Sequence, residues 1–113
     1  MMLELSGKTP NDRKKKLEAF LSENRRALLV YGATWCGPCR AYEGSIRELE
    51  RKSIAPVLHI DVDACEELCE SVSSVPTTAL YFNGEPVSEV SGSLSAAELI
   101  KWVAKHLESR GLE

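Results

Sequence analysis

Ala27-Leu28-Leu29-Val30-Tyr31-Gly32-Ala33-Thr34-Trp35-Cys36-Gly37-Pro38-Cys39-Arg40 is the stretch on which the fold of this chain turns. Its first five residues are an unbroken apolar run, short enough for a strand and suited to burial on both faces of a sheet. Cys36-Gly37-Pro38-Cys39 follows at once. Beyond it, Tyr42, Ile46 and Leu49 recur at helical spacing and form an inner face. Two cysteines therefore stand where a strand passes into a helix. Unpaired N–H groups and the helix dipole at such a junction favour a negative sulfur and lower its pKa. A spacing of three brings both sulfurs onto the first turn, within bonding reach. Cys36, nearer the loop, is expected to be exposed and to attack; Cys39, one turn in, is expected to be covered and to resolve. Pro38 stiffens the turn, and its ring removes an N–H that has no helical partner.

The pattern extends in both directions. Leu3-Glu4-Leu5 reads as a short edge strand. Thr9 then caps a helix with Pro10 at its first position, and Leu17, Phe20 and Leu21 form the buried face. On the other side, residues 56–62 read as a strand. Asp63-Ala64-Cys65-Glu66 has the form of a capping box opening a short third helix. Residues 77–82 and 86–90 are strands joined by an Asn83-Gly84 hairpin turn. Ser95-Ala96-Ala97-Glu98 is a second capping box, leading a last helix that buries Leu99, Ile100, Val103 and Leu107. The order β-α-β-α-β-α-β-β-α predicts an α/β fold. Its mixed, four- to five-stranded central sheet is flanked on both faces by about four helices.

The 113 residues suit one domain spanning 1–113 and a modest core, so an active site is expected near the surface. A formal net charge of -3 argues against nucleic acid as a partner. The basic run Arg13-Lys14-Lys15-Lys16 reads as a solvated helix face. No apolar stretch approaches the roughly 20 residues of a membrane span. Residues 1–9 lack the apolar core of a signal peptide, so the expected location is the cytoplasm. Four cysteines in that setting point to redox or metal chemistry before a disulfide scaffold.

A C-x-x-C pair serves zinc as well as redox chemistry. A structural zinc site needs four ligands, and the other candidates are Cys65, Cys69, His59 and His106. Cys65 and Cys69 are spaced by four, unlike the usual second pair. Trp35-Cys36-Gly37-Pro38-Cys39 after an apolar strand, inside a βαβ pattern, favours redox chemistry, with no metal.

These residues resemble the thioredoxin family over nearly the whole chain. Residues 33–40 are similar to its active-site signature, and Ser74-Val75-Pro76-Thr77 to its cis-proline loop. Residues 60–63 resemble the end of its third strand, Asn83-Gly84 its hairpin, and Gly92 a glycine beside its substrate groove. The resemblance implies the thioredoxin fold and reduction of disulfides in target proteins by dithiol–disulfide exchange, with Cys36 as nucleophile and Cys39 as resolving thiol. It also implies a cis Val75–Pro76 bond beside the Cys36 sulfur. Trp35, Gly37, Pro38, Val75 and Gly92 would form the apolar docking surface, and Asp63 would hold the Trp35 indole. The implied partners are protein disulfides and a thioredoxin-reductase-type electron donor. No organic cofactor is expected, since the cysteine pair carries two electrons, and a monomer would keep the groove open. Two other readings compete: an oxidase or isomerase, and a binding module without turnover. Gly37-Pro38 and the lack of an export signal favour reduction, and a pure binder needs neither thiol.

Four positions depart from the family pattern. Val30 stands where a buried aspartate is usual, and His59 where its lysine partner is usual. Either His59 takes over proton transfer near Cys39, or it fills space as a neutral core histidine. Gly32 replaces a large aromatic, leaving room that Tyr31 or Tyr42 would fill. Gly44 replaces a proline that kinks the active-site helix. Cys65 and Cys69, one turn apart on the expected third helix, are either small packing side chains or regulatory thiols that join under oxidation.

Overall fold

The computed structural model describes residues 3–109 and 111. Five strands form one sheet in the order β1-β3-β2-β4-β5: β1 (Leu3–Glu4), β2 (Arg26–Gly32), β3 (Val57–Asp61), β4 (Thr77–Phe82) and β5 (Glu85–Ser91). The apolar run forms the central strand, as its pattern requires. β2 pairs parallel with β3 and antiparallel with β4, and its residues 27–31 are all buried. β1 runs parallel to β3 at the edge. β4 and β5 form the hairpin, with Asn83 at φ 51° and Gly84 at φ 80°. Those paired left-handed angles suit a tight turn whose twist matches the strands.

Helix α1 (Pro10–Glu23) covers one face of the sheet. Its Phe20 packs with Leu29, Tyr31, Leu58 and Ile60. Helices α2 (Gly37–Arg51) and α3 (Ala96–Ser109) cover the other face, where Tyr42, Ile46, Leu49, Leu99, Val103 and Leu107 meet Leu28, Val30 and Leu80. Alternate residues of β2 thus feed opposite cores, the consequence of period-two side chains on a strand. Each buried leucine contributes roughly 1.5–3 kcal/mol. The caps form as read. Thr9 Oγ1 accepts from the Asp12 N–H at 3.1 Å, and Ser95 and Glu98 exchange reciprocal bonds at 2.9 and 3.1 Å. Arg13 pairs with Glu67 and donates to the Gly7 carbonyl, while Lys14 to Lys16 are exposed.

The expected third helix is a correction. Only a short 3-10 turn, Glu66–Leu68, occupies that segment, so among the described residues three α-helices flank the sheet where about four were expected. Asp61 is the reason. Its Oδ1 accepts from the N–H groups of Asp63 and Ala64, at 2.8 and 3.1 Å, closing a turn directly after β3. Cys65 makes no side-chain cap, and the capping box does not form.

Candidate active site

The site lies where β2 ends and α2 begins. Cys36 is the N-cap of α2, with extended backbone at φ -90°, ψ 110°, and its sulfur accepts the Cys39 N–H at 3.1 Å. A sulfur thus occupies the place that a serine or aspartate oxygen takes in an ordinary helix cap. Negative charge on that sulfur meets both a hydrogen-bond donor and the positive end of the helix. Cys36 and Cys39 are joined as a disulfide. The loop before them is held by the Cys36 N–H on the Ala33 carbonyl at 3.2 Å and by Arg40 Nη2 on the Thr34 carbonyl at 2.8 Å.

Across the sulfurs stands the loop carrying Pro76. The Val75–Pro76 bond is cis, and the Val75 carbonyl oxygen lies 3.8 Å from the Cys36 sulfur. The Gly92 N–H donates to the Pro76 carbonyl at 2.8 Å, and Gly92 has φ 97°, a conformation that favours glycine. Thr77 Oγ1 donates to the Ser74 carbonyl at 2.7 Å and lies 3.2 Å from Ser91 Oγ, pinning the loop to β5. Trp35 is 67% exposed, and its indole N–H donates to Asp63 Oδ2 at 2.8 Å. Trp35 on the loop, Gly37 and Pro38 in the first turn of α2, Val75 opposite and Gly92 beside Pro76 make one largely exposed surface around the disulfide.

The exposure of the two cysteines differs from expectation. In the disulfide form Cys36 is only 4% exposed, while Cys39 is half-buried. Val75 lies over the Cys36 sulfur, whereas Gly32 puts no side chain on Cys39. A Cβ at residue 32 would sit 3.4 Å from the Cys39 sulfur. The space left by the missing aromatic is not filled by either tyrosine. Tyr31 belongs to the core beneath α1, and Tyr42 is held to Thr78 by a 2.7 Å hydroxyl–hydroxyl bond. A cavity of about 380 Å³ results, lined by Cys39, Gly32, Val30 and His59 among others.

His59 and Cys39 both line this cavity. The His59 Nε2 is buried without a hydrogen-bond partner among the described residues. Burial pushes the imidazole pKa below its ordinary value, against an upward pull from Glu4 and Glu43, with Arg47 adding a smaller downward push. Glu43 also lines this cavity, and reasoning on the sequence passed over it; its spacing of four from Cys39 was the available signal. Cys65 and Cys69 lie apart from the site, on either side of the 3-10 turn and against the core beneath α1. Burial pushes the Cys65 thiol up and the Cys69 thiol up to about 11. Among the described residues no cluster of three or more His, Cys, Asp or Glu could hold a metal ion.

Residues 8–105 match the family model Thioredoxin. The chain belongs to the thioredoxin family. It is 39% identical over 92 residues to Thioredoxin-1 of Drosophila melanogaster, covering 78% of this chain and 84% of that one. It is 34% identical over 85 residues to the bifunctional thioredoxin reductase/thioredoxin of Mycobacterium leprae, covering 72% of this chain and 19% of the other. A mutant thioredoxin from Halobacterium salinarum superposes with TM-score 0.81 at 31% identity, covering 93% of this chain and 89% of that one. The chain is a protein dithiol–disulfide oxidoreductase whose redox centre is Cys36–Cys39.

Proposed function

We propose that the chain works as a general reductase of protein disulfides, with Cys36 attacking and Cys39 resolving. The observation that carries this order is the Cys39 N–H donated to the Cys36 sulfur at the α2 N-cap. That bond and the helix dipole stabilise a Cys36 thiolate, as nucleophile and as leaving group. The thiolate attacks one sulfur of a substrate disulfide; a bond to Cys36 forms and the other substrate sulfur leaves as thiolate. Cys39 then loses its proton and attacks the Cys36 sulfur. The internal disulfide forms, and the second substrate sulfur is released with the electron pair. Exposed Trp35 with Gly37, Pro38, Val75 and Gly92 would seat an extended substrate segment beside Cys36. Pro76 would shape the loop that presents the Val75 backbone.

His59 would move the Cys39 proton, a role supported by its place in the cavity that reaches that sulfur. Electrons would return through a thioredoxin-reductase-type donor; the fusion of both activities in the M. leprae relative's name supports that pairing. The cysteine pair would serve as the sole redox group. A monomer leaves the docking surface open. The free Cys65 and Cys69 thiols are consistent with work in a reducing compartment such as the cytoplasm. The direct test is reduction of insulin disulfides by dithiothreitol, with and without the chain. Acceleration that vanishes in Cys36→Ser is the expected result; no acceleration by the folded, fully reduced chain would refute the reading.

A further inference from the structure

Gly32, Val30 and His59, three of the positions that depart from the family pattern, converge on one cavity of about 380 Å³. Cys39 is part of its wall. The Cys36 sulfur, 3.8 Å from the Val75 carbonyl oxygen, is not among the lining, although Thr34 and Pro76 are. Residue 32 lies against this sulfur: a Cβ there would be 3.4 Å from the Cys39 sulfur and 3.8 Å from its Cβ. A larger side chain would cover the sulfur. Among the described residues the wall also carries Glu4, Glu43 and Asp61, the last bonded to the Asp63 and Ala64 N–H groups, against one guanidinium, Arg40, bonded to the Thr34 carbonyl. The cavity is therefore acidic. Its volume falls at the small end of ligand pockets, enough for a compact molecule and too little for a folded substrate's loop.

We propose that this cavity is a second entrance to the redox disulfide, admitting neutral or cationic low-molecular-mass thiols, and their disulfides, to the Cys39 sulfur. The inference rests on the reading of Cys36–Cys39 as the working redox pair. A thiolate entering here attacks Cys39: a new bond joins it to the Cys39 sulfur, and the Cys36–Cys39 bond breaks. The electron pair leaves on Cys36, the sulfur that the Cys39 N–H and the α2 dipole stabilise. A second thiolate then attacks the small-molecule sulfur of this mixed disulfide. Cys39 is released as thiolate, and two small thiols have become one disulfide while the protein has been reduced. An aminothiol would thus charge the chain with electrons through Cys39, without covering Trp35, Gly37, Val75 or Gly92 of the docking surface.

The test uses Cys36→Ser, in which Cys39 is the remaining thiol of the pair. Its reaction with cystamine, a dication, is compared with that of bis(2-sulfoethyl) disulfide, a dianion, by intact mass and peptide mapping. Cystamine is expected to modify Cys39 at least tenfold faster. Adding Gly32→Ala should slow that reaction several-fold, and Gly32→Phe should slow it further. Glu43→Gln should narrow the preference between the two charges while leaving Gly32 untouched. Equal rates for both reagents overturn the inference, as does an adduct rate indifferent to residue 32, or no adduct on Cys39. Insulin turnover by the unsubstituted chain is scored separately. A failed adduct test with insulin turnover intact removes the second entrance alone, and absent turnover removes the reductase reading.

Discussion

Val30 on β2 lies in parallel register with His59 on β3, and both side chains line the cavity that reaches the Cys39 sulfur. An apolar residue and a neutral imidazole can share a desolvated site that a lone carboxylate or ammonium could occupy only at high cost. His59 Nε2 is buried there without a hydrogen-bond partner among the described residues.

His59→Gln is expected to slow insulin reduction several-fold near neutral pH and to alter the pH profile of the reaction. A profile identical to that of the unsubstituted chain would leave His59 as packing only.

The same histidine makes stability depend on pH. Its folded pKa lies below the ordinary 6.5, so below about pH 6.5 the unfolded chain binds the proton more readily. Stability should rise with pH across the window between the depressed value and 6.5, and be lost as pH falls through it. Urea unfolding at pH 7.5 and 5.5 should show this loss, diminished in His59→Gln. Glu4 and Glu43 oppose the effect and Arg47 reinforces it, so neutralising Glu43 should deepen it.

Gly44 is an exposed position inside α2, and a Cβ there meets nothing within 4 Å. Glycine in a helix interior costs roughly 1 kcal/mol relative to alanine. Gly44→Ala should therefore stabilise the fold by about 0.5–1 kcal/mol, seen in calorimetry as a Tm raised by several degrees.

Tyr42 and Thr78 form a hydroxyl pair across the interface between α2 and β4, with Thr78 wholly buried. Tyr42→Phe strands the Thr78 hydroxyl and should cost about 1–3 kcal/mol in urea unfolding. Insulin reduction by the folded variant should change little by comparison.

Much of this structure was legible because its causes are local. Thr9, Pro10, Ser95 and Glu98 act within one helical turn, and Asn83-Gly84 acts within one hairpin. The cis Val75–Pro76 bond and the Trp35–Asp63 hydrogen bond came from resemblance, since neither follows from the periodicity of the chain. The segment after β3 misled because Asp63 and Glu66 imitate a capping box, while Asp61 takes the local N–H groups first. The exposure of the cysteines was hidden for another reason. It depends on the missing side chain of Gly32 and the carbonyl of Val75, both brought to the sulfurs only by the assembled fold.

In the proposed reaction Cys36, the capped sulfur, attacks protein disulfides and Cys39 resolves them. Single-cysteine trapping tests it most directly: Cys39→Ser and Cys36→Ser are each incubated with insulin, and the mixed disulfides are mapped by mass spectrometry. Cys39→Ser should accumulate a covalent insulin adduct on Cys36, while Cys36→Ser should give little or none. Insulin captured chiefly on Cys39 of the Cys36→Ser variant would contradict the assignment and make the more exposed sulfur the nucleophile.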